Sequence, residues 1–127
     1  MDKKTVINST QAPAPIGPYS QAVKAAGLLF VSGQVAIEPK TGELVDQNIE
    51  AETHQVMKNI GAILTAAGAD FHQILKCSIF VSDMNDFARI NEVYGTYFDD
   101  QPPARETVEV SRLPKDVGVE VSCIVQL

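Results

Sequence analysis

The chain has 127 residues and a formal net charge of −6, from 10 Lys and Arg against 16 Asp and Glu. That length suits one domain with a real though not generous core. The cations are scattered and form no basic stripe, which argues against a nucleic-acid partner, and no apolar run is long enough to span a bilayer.

Met1-Asp-Lys-Lys-Thr5 leads into no apolar signal core, so a cytoplasmic protein is expected. Gln11 to Pro18 is punctuated by Pro and Gly and reads as loop. Tyr19 to Ala25 and Leu28 to Ile37 read as strands that turn at Gly27 into a hairpin. From Asn48 to Ala67, Ile49, Thr53, Val56, Ile60, Ile63 and Ala67 recur at helical spacing, and Met57 and Leu64 widen the stripe. Gly68 stands where a helix-ending glycine belongs. Ile74 to Ser82 is rich in β-branched and aromatic residues and reads as a strand. Asp83 is a cap for a second helix reaching about Phe98, with Phe87, Ile90, Tyr94 and Tyr97 on one side. Glu106 to Val110 and Val117 to Leu127 close the chain as strands that could pair as a hairpin.

The order ββ-α-β-α-ββ is that of an α+β domain whose two amphipathic helices cover one sheet face. Leu28 to Val31 are apolar on both strand faces, and so is the Ile74 to Val81 run. The uncovered face would expose a large apolar area, which predicts a homo-oligomer built sheet to sheet.

In Gln101-Pro-Pro-Ala-Arg-Glu-Thr-Val-Glu-Val110, Pro102 and Pro103 stiffen the approach to Arg105. A guanidinium held that way can grip a carboxylate with two hydrogen bonds, or serve as an intersubunit salt bridge. Glu120 alternates with Val119 and Val121 along the last strand. It is either a solvent-facing residue, a partner for Arg105, or an acid that activates water. Tyr19 follows Pro18 and is a core or interface aromatic or a pocket wall. Ser32 and Gly33 interrupt an apolar strand, where glycine marks a bulge, a close ligand or a packed neighbour. Asn91 lies beside the apolar stripe of the second helix and is either solvated or part of a pocket.

Cys77 and Cys123 make no disulfide framework and read as small buried hydrophobes. His54 and His72 form no cluster at ligand spacing, so no metal site is expected. Phosphate loops and a nucleophile elbow are absent.

Ile16-Gly-Pro-Tyr-Ser-Gln-Ala22, Val31-Ser-Gly-Gln34, Phe87-Ala-Arg-Ile-Asn91, Pro103-Ala-Arg105, Val108-Glu-Val110, Leu113-Pro-Lys-Asp116 and Val119-Glu120 together resemble the RidA/YjgF family of imine and enamine deaminases, over nearly the whole chain. The resemblance implies a single domain over residues 1–127. It implies a chorismate-mutase-like fold, with a mixed sheet carrying two helices on one face. It further implies a homotrimer in which three sheets enclose a barrel and the sites lie in clefts between subunits. The implied activity is metabolite damage control: hydrolysis of 2-imino acids, formed from the enamine products of amino-acid dehydratases, to 2-keto acids and ammonia. No metal or organic cofactor is implied.

In that family pattern Arg105 takes the substrate carboxylate and Glu120 positions or activates water. Tyr19, Ser32, Gly33 and Asn91 fall where the family lines its pocket. Thr107 replaces a common cysteine whose backbone groups contact the ligand, and Glu106 beside it replaces a small residue. Ser122 and Cys123 depart from a common Glu-Ala pair near Glu120. These departures bear on substrate preference more than on reaction type. The competing readings are a non-catalytic module that binds 2-keto acids, a nucleic-acid-directed activity, and an oxidant-activated holdase. The charge of −6 weighs against the nucleic-acid reading.

Overall fold

A computed structural model describes residues 3–127. Met1 and Asp2, the start of the stretch read as lacking a signal core, lie outside the described residues. Six strands form one mixed sheet: β1 (Thr5–Ile7), β2 (Ala22–Ala25), β3 (Leu28–Gln34), β4 (Ile74–Val81), β5 (Ala104–Glu109) and β6 (Val119–Gln126). Two helices, α1 (Ile49–Ala66) and α2 (Phe87–Gly95), complete the domain. The spatial order is β1-β2-β3-β6-β4-β5. β4 and β5 run parallel, and every other neighbouring pair is antiparallel. The α+β class, the mixed sheet and the two-helix cover agree with the sequence reading.

β2 and β3 form the expected hairpin. Its two turn residues, Ala26 and Gly27, have φ of 54° and 77°, the left-handed pair that matches strand twist in a tight hairpin. Helix α1 begins where Asn48 stays extended and its side chain accepts the Ala51 N–H at 2.7 Å. Glu50 and Glu52 in its first turn suit the helix dipole. The helix stops before Gly68, whose φ is 76°.

Four details differ from the sequence reading. The short edge strand β1 carries no alternation and went unread. β2 starts at Ala22 rather than Tyr19, because the Gln21 side chain is spent holding the preceding loop. The second helix opens as a 3₁₀ turn at Met84–Asp86, with Asp83 accepting the Asn85 N–H at 2.9 Å, and α2 proper ends at Gly95. The closing hairpin does not form: β5 and β6 lie on opposite sides of β4. Val119, Val121, Cys123 and Val125 of β6 are all buried, which suits a central strand. Arg105, Glu106 and Glu109 make β5 too polar for the centre, and it takes the edge.

The helix-side face of the sheet carries Leu29, Val31, Cys77, Ile79, Val81 and the four buried β6 residues. These pack against Val56, Met57, Ile60, Ile63 and Leu64 of α1 in one core. Cys77 and Cys123 are free, buried and cross-strand neighbours within it, and burial pushes both thiols up in pKa. The opposite face has no helix over it. Phe30 and Val108 are 46% and 41% exposed there. Between them, Glu106 pairs with Lys76 at 3.0 Å and accepts the Ser78 hydroxyl.

Asn48→Ala removes the α1 cap and should cost about 1 kcal/mol, lowering Tm by about 4 °C in a thermal melt.

Candidate functional site

A cavity of about 380 Å³ opens on the helix-free side of the sheet. Its floor is the end of β3, Ser32 to Gln34, with Glu120 of β6 beside it. The loop before β2 supplies one wall through Pro13, Ile16 and Tyr19, and the turn before β6 supplies another through Pro114 and Lys115. Tyr19 is 49% exposed at the rim.

The floor is shaped by an irregularity in the β3–β6 pairing between Val31 and Gln34. Gly33 sits in that stretch under the Glu120 side chain. A Cβ at Gly33 would lie 2.8 Å from Glu120 Cδ and 3.1 Å from its Cγ. The glycine therefore provides the space the carboxyl occupies. Ser32 ties the floor to the Tyr19 loop: its hydroxyl donates to the Ser20 carbonyl at 2.5 Å and its N–H to the Gln21 carbonyl at 2.9 Å. Burial raises the Glu120 pKa above its ordinary value.

Arg105 lies elsewhere. Its guanidinium donates to Asn91 Oδ1 of α2 at 2.5 Å. It also sits 5.1 Å from the Tyr94 ring centre and 5.6 Å from that of Phe87. Two aromatic faces and one amide thus hold an exposed cation in a fixed pose. Thr107 lies two residues along on the same face. Its hydroxyl is buried without a hydrogen-bond partner among the described residues.

Strand register shows how the sequence-derived residues divide. Cys77 is the cross-strand partner of both Arg105 and Cys123, so Arg105 points to the helix side. Phe80 is the partner of Glu120, and it lies on the other face of β4 from Cys77. Arg105 and Glu120 therefore share a sheet and face opposite ways. Tyr19, Ser32, Gly33 and Glu120 come together around the cavity, while Asn91, Arg105 and Thr107 gather at the β5–α2 edge. Glu106 joins neither group, because Lys76 and Ser78 already engage it, and those contacts lower its pKa.

Sequence reasoning missed Lys115 and the roles of Phe87 and Tyr94. The aromatics were legible only as a helix stripe. Lys115 and Asp116 adopt φ of 57° and 55°, which nothing in a Lys-Asp pair announces. Arg112 holds that turn through Nε to Asp116 at 2.7 Å. Among the described residues, no group of His, Cys, Asp and Glu is arranged to hold a metal ion, and no helix is long and apolar enough to cross a membrane.

The Endoribonuclease L-PSP family model matches residues 9–127. A RutC family protein of Pyrococcus horikoshii is 54% identical over 121 residues, covering 95% of this chain and 96% of that protein. The 2-iminobutanoate/2-iminopropanoate deaminase of Mus musculus is 46% identical over 121 residues, covering 95% and 90%. The crystal structure of E. coli TdcF with bound serine is similar at a TM-score of 0.93 and 40% identity, covering 97% and 98%.

Gly33→Ala should leave the fold intact and push the flexible Glu120 side chain out toward solvent. The Glu120 carboxyl would then titrate closer to the ordinary Glu value of 4.5, read by NMR on carboxyl-labelled protein.

Proposed function

The chain belongs to the RidA/YjgF family, whose model it matches over residues 9–127, and from that premise we propose that it hydrolyses reactive 2-imino acids to 2-keto acids and ammonia. The observation that carries this reading is the half-buried Glu120 over Gly33, a carboxyl with a raised pKa facing the cavity. Such a group can orient water onto an imine carbon and return the proton to the departing nitrogen. Water adds across the C=N bond, the C–N bond then breaks, and ammonia leaves as the carbonyl forms. Arg105 supplies a planar fork that suits the substrate carboxylate. Tyr19, Ser32 and Gly33 line the reacting end, with Asn91 and Thr107 beside the carboxylate end.

Arg105 and Glu120 of one chain cannot meet on one substrate, because the sheet lies between them. The proposed site is therefore composite, with Arg105 of one subunit facing the cavity of the next. The uncovered sheet face, with Phe30 and Val108 exposed, is the surface such an assembly would cover. A homotrimer closed around that face supplies three equivalent sites. The reaction needs no metal or organic cofactor, and it suits a cytoplasmic enzyme that clears products of amino-acid dehydratases. A binding-only role for 2-keto acids rests on the Arg105 shelf alone, which can hold a carboxylate without help from Glu120.

A coupled assay separates these readings. A dehydratase generates the imino acid, semicarbazide competes for it, and the protein diverts it to keto acid. Glu120→Gln should lower kcat by roughly 10²-fold or more. Arg105→Lys should raise KM by roughly tenfold with a smaller effect on kcat. If wild type diverts no imino acid yet binds keto acids, the binding-only reading stands instead.

The raised Glu120 pKa also sets a pH limit. Water activation needs the carboxylate, so activity should fall as pH drops through a limb lying above the ordinary 4.5. Glu120→Gln should lose that limb from its residual pH–rate profile.

A further inference from the structure

We infer that Glu52 of α1 is a positioning residue, holding the start of β6 so that Glu120 and the Lys115 wall stand where the cavity needs them; this rests on the reading of Glu120 above. Glu52 is 8% exposed. Its Oε1 accepts the Gly118 N–H at 2.5 Å. The Gly118 carbonyl in turn accepts the Ser82 N–H at 3.1 Å. Gly118 is thus fixed on one side by a helix and on the other by the residue that follows β4.

Gly118 also lies close against α1 side chains. A Cβ at Gly118 would fall 2.8 Å from Ile49 Cδ1 and 3.4 Å from both Glu52 oxygens. Glu120 follows two residues later, so the height of Gly118 against α1 sets the height of Glu120 over Gly33. Just before Gly118, Lys115 and Asp116 hold left-handed φ angles that persist only when their surroundings fix them. The Arg112–Asp116 pair fixes one end of that turn and Glu52 fixes the other.

The choice of side chain is costly for a purely structural tie. Among the described residues no Lys or Arg pairs with Glu52, its charged neighbours Asp46 and Asp86 are of like sign, and burial raises its pKa. What the carboxyl supplies is an acceptor for the Gly118 N–H at the start of β6. A glutamine oxygen can take the same bond. An apolar side chain of similar size cannot.

Glu52→Gln and Glu52→Leu test this in the full chain, with three readouts. NMR reports the Glu120 carboxyl titration, hydrogen exchange reports the Gly118 and Val119 amides, and imine hydrolysis reports kcat and KM separately. Glu52→Leu should bring the Glu120 titration toward its ordinary value and speed exchange at both amides by roughly tenfold or more. It should also lower kcat by roughly 10-fold to 100-fold with KM little changed. Glu52→Gln should restore all three. Gly118→Ala keeps Glu52 but crowds Ile49 Cδ1 and the Glu52 carboxyl at the strand start, and it should reproduce the leucine signature if Glu52→Leu does not fold. A folded Glu52→Leu with unchanged Glu120 titration and amide exchange would overturn the proposal, as would an equal loss in Glu52→Gln. If those two readouts shift while even wild type hydrolyses no imine, the positioning role stands and the proposed reaction falls.

Discussion

The alternation of β6 is the constraint on which the rest depends. Val119, Val121, Cys123 and Val125 go into the core, so Glu120 must face the other way. Pairing with β3 on one side and β4 on the other leaves that strand no freedom to slip. A slip of one residue would bury the acid and expose the valines. The core therefore places Glu120 on the helix-free face. The register through β4 places Arg105 on the other.

The separation has electrostatic consequences. In one chain Glu120 is separated from Arg105 by the sheet, and burial raises its pKa. Arg105 meanwhile rests on Tyr94 and Phe87 and is oriented by Asn91, a neutral acceptor that leaves its charge uncompensated. Each half is prepared without the other. In the proposed composite site the substrate carboxylate would answer the guanidinium, leaving Glu120 free to act as base. Had the two residues paired within a chain, each would have neutralised the other, and the cavity would have lost its acid.

Much of this was legible in the sequence. The β2–β3 hairpin, α1 with its Gly68 stop, β4 and the buried cysteines follow from periodicity and turn chemistry. The cluster of Tyr19, Ser32, Gly33 and Glu120 followed from family motifs rather than from pattern. The expectation of a β5–β6 hairpin failed because nearness in sequence says nothing about which strand is apolar enough to sit between two others. Glu52 drew no reading from the sequence, since its bond to Gly118 spans 66 residues of chain and leaves no local mark. Lys115 was hidden for a different reason: a left-handed φ at lysine is imposed by its surroundings.

The proposed site is shared between two copies of the chain. Subunit complementation tests that directly. Arg105→Ala and Glu120→Gln, each inactive alone, are unfolded together, refolded as a mixture and assayed for imine hydrolysis. A composite site predicts recovery to roughly a quarter of wild-type activity on random assembly, because one site in four joins an intact Arg105 to an intact Glu120. Co-refolded variants that form mixed oligomers and stay as inactive as the separate ones would contradict it.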